Sequence, residues 1–465
     1  MRNASFTLCV CIIFLSSCSQ LLTYENGDSV ASESKKEGNA YVFDMNALPV
    51  ITVGVKTDDW NNLLCKYDEN RYVKDYIKCD FSFSKDGEVT QITEAGLRLH
   101  GNTSRRRPEG VTGQKHGEGL KFNHCHYMVN LRKYIKDDNH DLQGVRKINF
   151  KWFHNDPSYV REIYCYDLFR RYNIWTIADC SYCRINLQVD DEQPVYLGVF
   201  GMFETVDKQY LKKRKDAFGS SSGYLWKCVG NGLNDISDEL FGFDDNTVDH
   251  PYELKEDTEE FEMAKEQLKN FITKFQTLEG EAFENWITTV CDVELLLKTY
   301  AVNVAVGMWD DYWNNFNNYY LFFNSNDLND YKFYFIPYDY DESLGRTSAC
   351  GVQKDAVTHD PLAWGRPENN LISKIISFPN FREIYVNALH DIASPALGLL
   401  DYDYSVQRIQ KWHSLIENYV SNDTEEDMLI EDLPGKYSDQ QDYKLWTDGA
   451  MNYFRVKCKL LQEVE

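Results

Sequence analysis

The residues best placed to do chemistry lie in one stretch, Trp309 to Gly345, which reads WDDYWNNFNNYYLFFNSNDLNDYKFYFIPYDYDESLG. Two strand-like runs, Tyr319 to Phe323 and Tyr331 to Pro337, flank the turn-forming Asn324 to Asp330, the pattern of an antiparallel hairpin. With the turn centred near Leu328, Asn318 at the entrance faces Tyr338 and Asp339 at the exit. Asp310 and Asp311 arrive from the preceding segment. An amide and several carboxylates gathered this way supply oxygen ligands for a hard divalent cation, and Mg²⁺ is commonly held by one or two carboxylates plus substrate phosphates. A different chemistry is also open: Asp339 and Asp341, two apart on a strand, share a face about 6–7 Å apart, a separation compatible with acid–base work on a glycan.

A second stretch complements the first. Gly101 to Gly119 carries five glycines together with Arg105, Arg106, Arg107 and Lys115, and Lys121 follows just beyond. Glycine lets backbone N–H groups approach a ligand, and guanidinium groups match phosphate oxygens, so this loop is suited to a polyphosphate. Its spacing is neither that of a Walker A loop nor G-x-G-x-x-G. The order Asp, Asn, hairpin, Asp is the one protein kinases use for the hydroxyl-orienting and metal-holding groups, and Asp310 to Asn315 has their D-x-x-x-x-N spacing, although H-R-D and D-F-G are absent.

The elements that must position these residues follow from hydrophobic periodicity. Leu48 to Val55, Gln91 to His100, Tyr127 to Leu131 and Tyr196 to Phe203 read as strands, the last ending at Glu204. Asp58-Asp59-Trp60 opens a helix. Tyr159 to Tyr172 reads as another, with Asp156 or Ser158 as its start signal. The acidic run Asn231 to Glu262 reads as a surface excursion. Helical patterns follow from Glu259 to Phe275 and from Phe283 to Met308, where the helix Val293 to Met308 is apolar on most faces and must be buried, and again beyond Pro361. Strands first and helices later predict an α+β molecule with a strand-rich N-terminal lobe (41–230) and a mainly helical C-terminal lobe carrying the hairpin (231–465).

Charge and the N-terminus bound the setting. A net charge of -24 argues against nucleic acid as a partner, because most of the surface would repel a phosphate backbone. Arg2, the short apolar run Phe6 to Leu15 and then Leu15-Ser16-Ser17-Cys18 have the layout of a lipoprotein signal (1–17), too short to span a bilayer. Residues 18–40 then read as a lipidated Cys18 followed by a polar tether, which places the chain outside the cytoplasm on a membrane. Export permits disulfides, but Cys180-x-x-Cys183 has no second pair at zinc-ligand spacing, and both it and His124-Cys125-His126 read as structural.

Five motifs, LHGNTSR (Leu99 to Arg105), INFKWFHNDPSYVRE (Ile148 to Glu162), YLGVFGMFETVDKQYLKKR (Tyr196 to Arg214), WDD with NNYYLF, and IPYDYDESLG (Ile336 to Gly345), together resemble the CotH family, named for spore coat protein H. The resemblance implies an atypical protein-kinase fold of two lobes that transfers the γ-phosphoryl group of ATP to Ser or Thr of an exported protein, with Mg²⁺ or Mn²⁺. By the same resemblance Asp310 is the catalytic aspartate with Asp311 the alternative frame, Asn318 and Asp339 hold the metal, and Glu204 is a site residue of unassigned role. Where the family has K-K-S-Y this chain has His124, Cys125 and His126 before Tyr127, leaving Lys121, Lys115 or the Arg105 to Arg107 run to stand in for the phosphate-binding lysine. The missing lysine and the question of ATP supply outside the cytoplasm keep open a kinase-like binding or assembly module without catalysis.

The signal layout gives a direct expectation. Cys18→Ser should remove fatty-acid labelling and shift the protein out of the detergent phase; continued labelling would refute the anchor.

Overall fold

The computed structural model describes residues 36–465 except 120, 155, 244–249, 256–257, 347–354, 367–370, 426–429 and 431–442. The proposed signal and nearly all of the tether, Cys18 included, lie outside the described residues. Glu37–Glu465 forms a single compact unit, and its first helix, α1 (Gly38–Val42), starts two residues before the expected end of the tether. No helix among the described residues is long and apolar enough to cross a membrane.

The N-terminal half is rich in strands, as expected, but they close into a barrel. Strands β1 (Val50–Val55), β2 (Ile77–Lys85), β3 (Glu88–His100), β4 (His126–Asn130), β5 (Lys147–Lys151), β6 (Cys180–Val189) and β7 (Val195–Glu204) run around it in the order β1-β2-β3-β4-β5-β7-β6. Neighbours are antiparallel except at the closure, where β1 pairs parallel with β6. Alternation builds the interior: Ile51, Val53 and Val55 of β1 and Ile77, Cys79, Phe81 and Phe83 of β2 are all buried. Helix α2 (Thr57–Glu69) adds Trp60, Leu63 and Leu64 to this core.

A second, larger core lies beyond the barrel. It is built on α3 (Arg161–Arg171), the short α4 (Lys208–Lys213) and α5 (Lys215–Phe218), and a five-stranded sheet. That sheet holds β8 (Tyr224–Cys228), β9 (Phe241–Phe243), β10 (Tyr252–Leu254), β11 (Tyr319–Phe323) and β12 (Phe333–Pro337), in the order β12-β11-β8-β10-β9. Helices α6 (Phe261–Thr277), α7 (Gly280–Val290), α8 (Val293–Ala305), α9 (Leu371–Ile376), α10 (Pro379–Ala393), α11 (Tyr402–Ile416) and α12 (Tyr453–Gln462) complete it.

Two expectations are corrected here. The acidic run Asn231 to Glu262 is not only a surface excursion, because Phe241, Tyr252 and Leu254 are buried and β10 pairs with β8. Within the helical pattern from Phe283 to Met308 a new helix starts at Val293, as expected, capped by the Asp292 carboxylate accepting from Leu295 N at 3.0 Å, but it ends at Ala305 and not at Met308. Cys180 and Cys183 are buried thiols on one strand.

The glycine-rich connection from β3 to β4 is anchored by two carboxylates. Asp68 of α2 accepts from the Arg107 guanidinium at 2.8 and 3.0 Å and from Gly113 N at 2.9 Å. Buried Glu109 accepts from Trp60 Nε1 at 2.7 Å and from Gly117 N at 2.9 Å. Its other partner is His116, whose Nδ1 lies 2.8 Å from Glu109 while its Nε2 lies 3.2 Å from Glu192. A neutral imidazole has one N–H, so only the imidazolium donates to both carboxylates. Burial acts to lower the His116 pKa, but the bonds and charges of Glu109 and Glu192 outweigh it and hold the pKa above its ordinary value. A raised folded pKa adds stability that is fully present below the ordinary value of about 6.5 and is lost as pH rises through the folded one. The urea midpoint of wild type should therefore exceed that of His116→Phe most at about pH 6, with the gap narrowing at higher pH; a constant gap would show that the charge is not what anchors the loop.

Candidate active site

Lysine is seldom buried without a partner, yet Lys151, the last residue of β5, is 6 % exposed. Its ammonium touches two carboxylates, Glu162 of α3 at 2.5 Å and Asp339 just beyond β12. Glu162 comes close because the chain between β5 and α3 is pinned: Asp156 accepts from Ser158 N and Arg161 N at 3.1 Å each and pairs with the Arg161 guanidinium. Lys151, Glu162 and Asp341 line one recess with His126, Trp152 and His154.

The hairpin reaches the same place. Its register runs from Tyr319↔Pro337 to Phe323↔Phe333. One step outward sets Asn318 opposite Tyr338, beside Asp339, as a turn centred near Leu328 requires. Asn318 and Asp339 both adopt left-handed backbone, with φ of 60° and 62°. For non-glycine residues such a conformation is strained and survives only where the surroundings enforce it. Here Tyr166 of α3 accepts from Asp339 N at 3.2 Å, and Asn318 Nδ2 donates to the Asp310 carbonyl at 2.8 Å and to its Oδ2 at 3.2 Å.

The two adjacent aspartates have different surroundings. Asp310 is partly exposed, and its carboxylate accepts from the side-chain amides of Asn315 at 2.7 Å, Asn317 at 3.4 Å and Asn318. Burial raises its pKa and the Asp339 charge adds to the rise, while the three amides oppose it. Asp311 is buried and points into the core, where it accepts from Asn303 Nδ2 at 2.5 Å, Asn314 N at 2.8 Å and Trp364 Nε1 at 3.2 Å. Burial pushes its carboxyl up to about 6 against those donors.

Carboxylates outnumber cations at this centre. Asp310, Asp339, Asp341, Glu162 and Glu342 act on one another around Lys151 and Arg346, and burial raises Glu162, Asp341 and Glu342. Lys151 is held well above its ordinary range, because Asp339 and Glu162 together outweigh the cost of burying it. Protons therefore enter this centre as a shared set. Among the described residues no group of three or more His, Cys, Asp or Glu side chains is disposed to hold a metal ion. The side-chain oxygens gathered here, with the Asn318 amide N–H committed to Asp310, fit a cation that takes few protein ligands and completes its shell with phosphate and water.

The basic loop divides its arginines. Arg105 is buried, with its guanidinium donating to the carbonyls of Gly101, Arg71 and Val73, so it braces the loop. Arg106 is exposed and lies over the ring of Trp152, 4.8 Å from its centroid, at the edge of the Lys151 recess. Lys121 is exposed, and its carbonyl accepts from Gly110 N at 3.0 Å. Glu204 ends β7 with its carboxylate bound by Arg214 at 2.7 and 3.2 Å, Asn39 Nδ2 at 2.8 Å and Asp179 N at 3.1 Å.

The structure thus adds two residues that sequence reasoning passed over, Lys151 and Glu162, both inside the motif Ile148 to Glu162. The strand reads KINFK, so Lys151 falls on the polar side of the alternation with Lys147 and Asn149, and nothing in the sequence marked it as buried. Protein kinases bring a strand lysine and a helix glutamate together with a metal-holding aspartate. Lys151, Glu162 and Asp339 form a comparable lysine–glutamate–aspartate group, of the class found in kinase-like proteins, although the strands around it close into a barrel and not into a clear kinase lobe. Residues 98–447 match the family described as CotH kinase protein, and the chain belongs to that family. No curated protein matches the chain in sequence.

Removing one partner of a buried ion pair leaves an uncompensated charge, at a cost of about 3–5 kcal/mol. Lys151→Met should lose stability on that scale in urea unfolding at neutral pH, and a second change, Glu162→Gln, should recover part of it. No recovery would mean that Glu162 is not balanced by Lys151.

Proposed function

We propose that this protein is a metal-dependent phosphotransferase that moves the γ-phosphoryl group of ATP to a Ser or Thr hydroxyl of an exported protein, working from a lipid anchor at Cys18. The carrying observation is the Lys151 ammonium shared between Glu162 and Asp339. In this reading Glu162 orients Lys151 towards the ATP phosphates, and Arg106, lying over Trp152, adds positive charge at the mouth of the recess. Asp339 and the Asn318 carbonyl oxygen would hold Mg²⁺ or Mn²⁺, which when bound neutralises phosphate charge. Asp310, presented by Asn315, Asn317 and Asn318, orients the acceptor hydroxyl and takes its proton. In this reading the barrel and the larger core take the place of two kinase lobes, and Lys151 takes the role of the lysine sought near Tyr127.

Transfer and nucleotide binding separate these roles. Wild type should be stabilised by ATP with Mn²⁺, by about 2.7 kcal/mol at a hundredfold excess over Kd. Asp339→Asn should abolish that shift. Asp310→Ala should keep it while radiolabel transfer to co-exported proteins falls by about 10²–10⁴-fold. Absence of nucleotide binding with either metal would overturn the proposal in favour of a non-catalytic binding module.

A further inference from the structure

We propose that Asn303 and Tyr340 are positioning residues that couple the Asp310 loop to the Asp339 segment, so that the two halves of the centre hold their shape together. The proposal builds on the phosphotransfer reading for its kinetic consequence, but its structural content stands apart from it. Asn303 lies in α8, a helix buried on nearly all faces, and is itself 0 % exposed. A primary amide in such a place is costly unless both its ends are bonded. Both are: Nδ2 donates to Asp311 Oδ2 at 2.5 Å, and Oδ1 accepts from Tyr340 OH at 3.0 Å. The carboxylate offers no proton, so the nitrogen must be the end that faces Asp311.

Each end leads to one half of the centre. Asp311 shapes the loop that follows it: its side chain accepts from Asn314 N at 2.8 Å and Asn314 Nδ2 at 2.9 Å, and its carbonyl accepts from Asn315 N at 3.1 Å and Asn317 N at 3.0 Å. Those turns carry the amides that present Asp310. Tyr340 stands between Asp339 and Asp341, with its ring edge-on to Phe169 of α3 at 4.9 Å. It also lies edge-on to the ring of Tyr166, 6.5 Å between centroids, whose hydroxyl accepts from Asp339 N and which shares α3 with Glu162. A continuous buried chain of hydrogen bonds and ring contacts therefore runs from the Asp310 loop through α8 to the Asp339 segment. Trp364 also donates to Asp311, at 3.2 Å, but it belongs to the loop side alone.

Tyr340→Phe keeps the ring and removes one hydroxyl, while Trp364→Phe loosens Asp311 without touching Tyr340. Hydrogen exchange on the full chain reads both ends directly, at the amides of Asn314, Asn315 and Asn317 and at that of Asp339. Tyr340→Phe should speed exchange at both ends, and Trp364→Phe at the loop end only. With ATP and Mn²⁺, Tyr340→Phe should lower kcat by about 10–100-fold and leave the KM for ATP within about twofold, since a small misplacement of reacting groups acts on the chemical step. Loop-end exchange that matches wild type in Tyr340→Phe would overturn the coupling, as would a uniform rise across the chain tracking a lower melting temperature. An absence of transfer by wild type would instead refute the phosphotransfer reading, leaving the exchange pattern to decide the coupling.

Discussion

The arrangement depends on one buried ammonium. Lys151 ends a barrel strand, Glu162 lies in the first turn of the helix that follows 11 residues on, and Asp339 follows the hairpin 188 residues away, so a single charge ties two neighbouring elements to a distant one. In water such pairs are worth little, but here both the ammonium and the Glu162 carboxylate are out of solvent, so each requires the other. The polar residues nearby can be understood from that requirement. Asp156 and Arg161 fix the entry to α3, and Tyr166 of α3 fixes the backbone of Asp339.

Two neighbouring aspartates have diverged under the same constraint. Asp311 is saturated by buried donors and serves as scaffold, whereas Asp310 is partly open and carries amide donors that hold it without hiding it. The left-handed backbone at Asn318 and Asp339 marks where the hairpin is bent away from regular pairing to bring an amide and a carboxylate to the same place. Of the basic residues in the glycine-rich loop, Arg105 and Arg107 are spent on holding the loop, and this leaves Arg106 at the recess.

Much of the hairpin was legible in the sequence because antiparallel pairing is arithmetic: a centre at Leu328 sets every opposite pair, and Asn318 with Asp339 followed without knowledge of the rest of the fold. The strands β1, β3, β4 and β7 were legible from local pattern, β1 from its alternation and β7 from a continuous apolar run that is buried almost throughout. Barrel closure was not, because it depends on a parallel contact between β1 and β6 that leaves no local trace. Lys151 and Glu162 were passed over because each is unremarkable until the other is placed beside it. The short strands β9 and β10 were hidden by acidic neighbours, whereas the start of the buried helix at Val293 was legible and only its end, at Ala305, fell short of the expected Met308.

The parallel seam also has a kinetic meaning. Val50 pairs with Arg184, so β1 has no closing partner until most of the barrel sequence exists. A chain made from its N-terminus must carry the outer edge of β1 unsatisfied through the synthesis of five further strands, and contacts this distant in sequence are slow to form. Until β6 arrives, that edge can pair with any extended segment that meets it. Closing the seam is therefore the step that commits the nascent chain to its own fold and protects it from association with its neighbours.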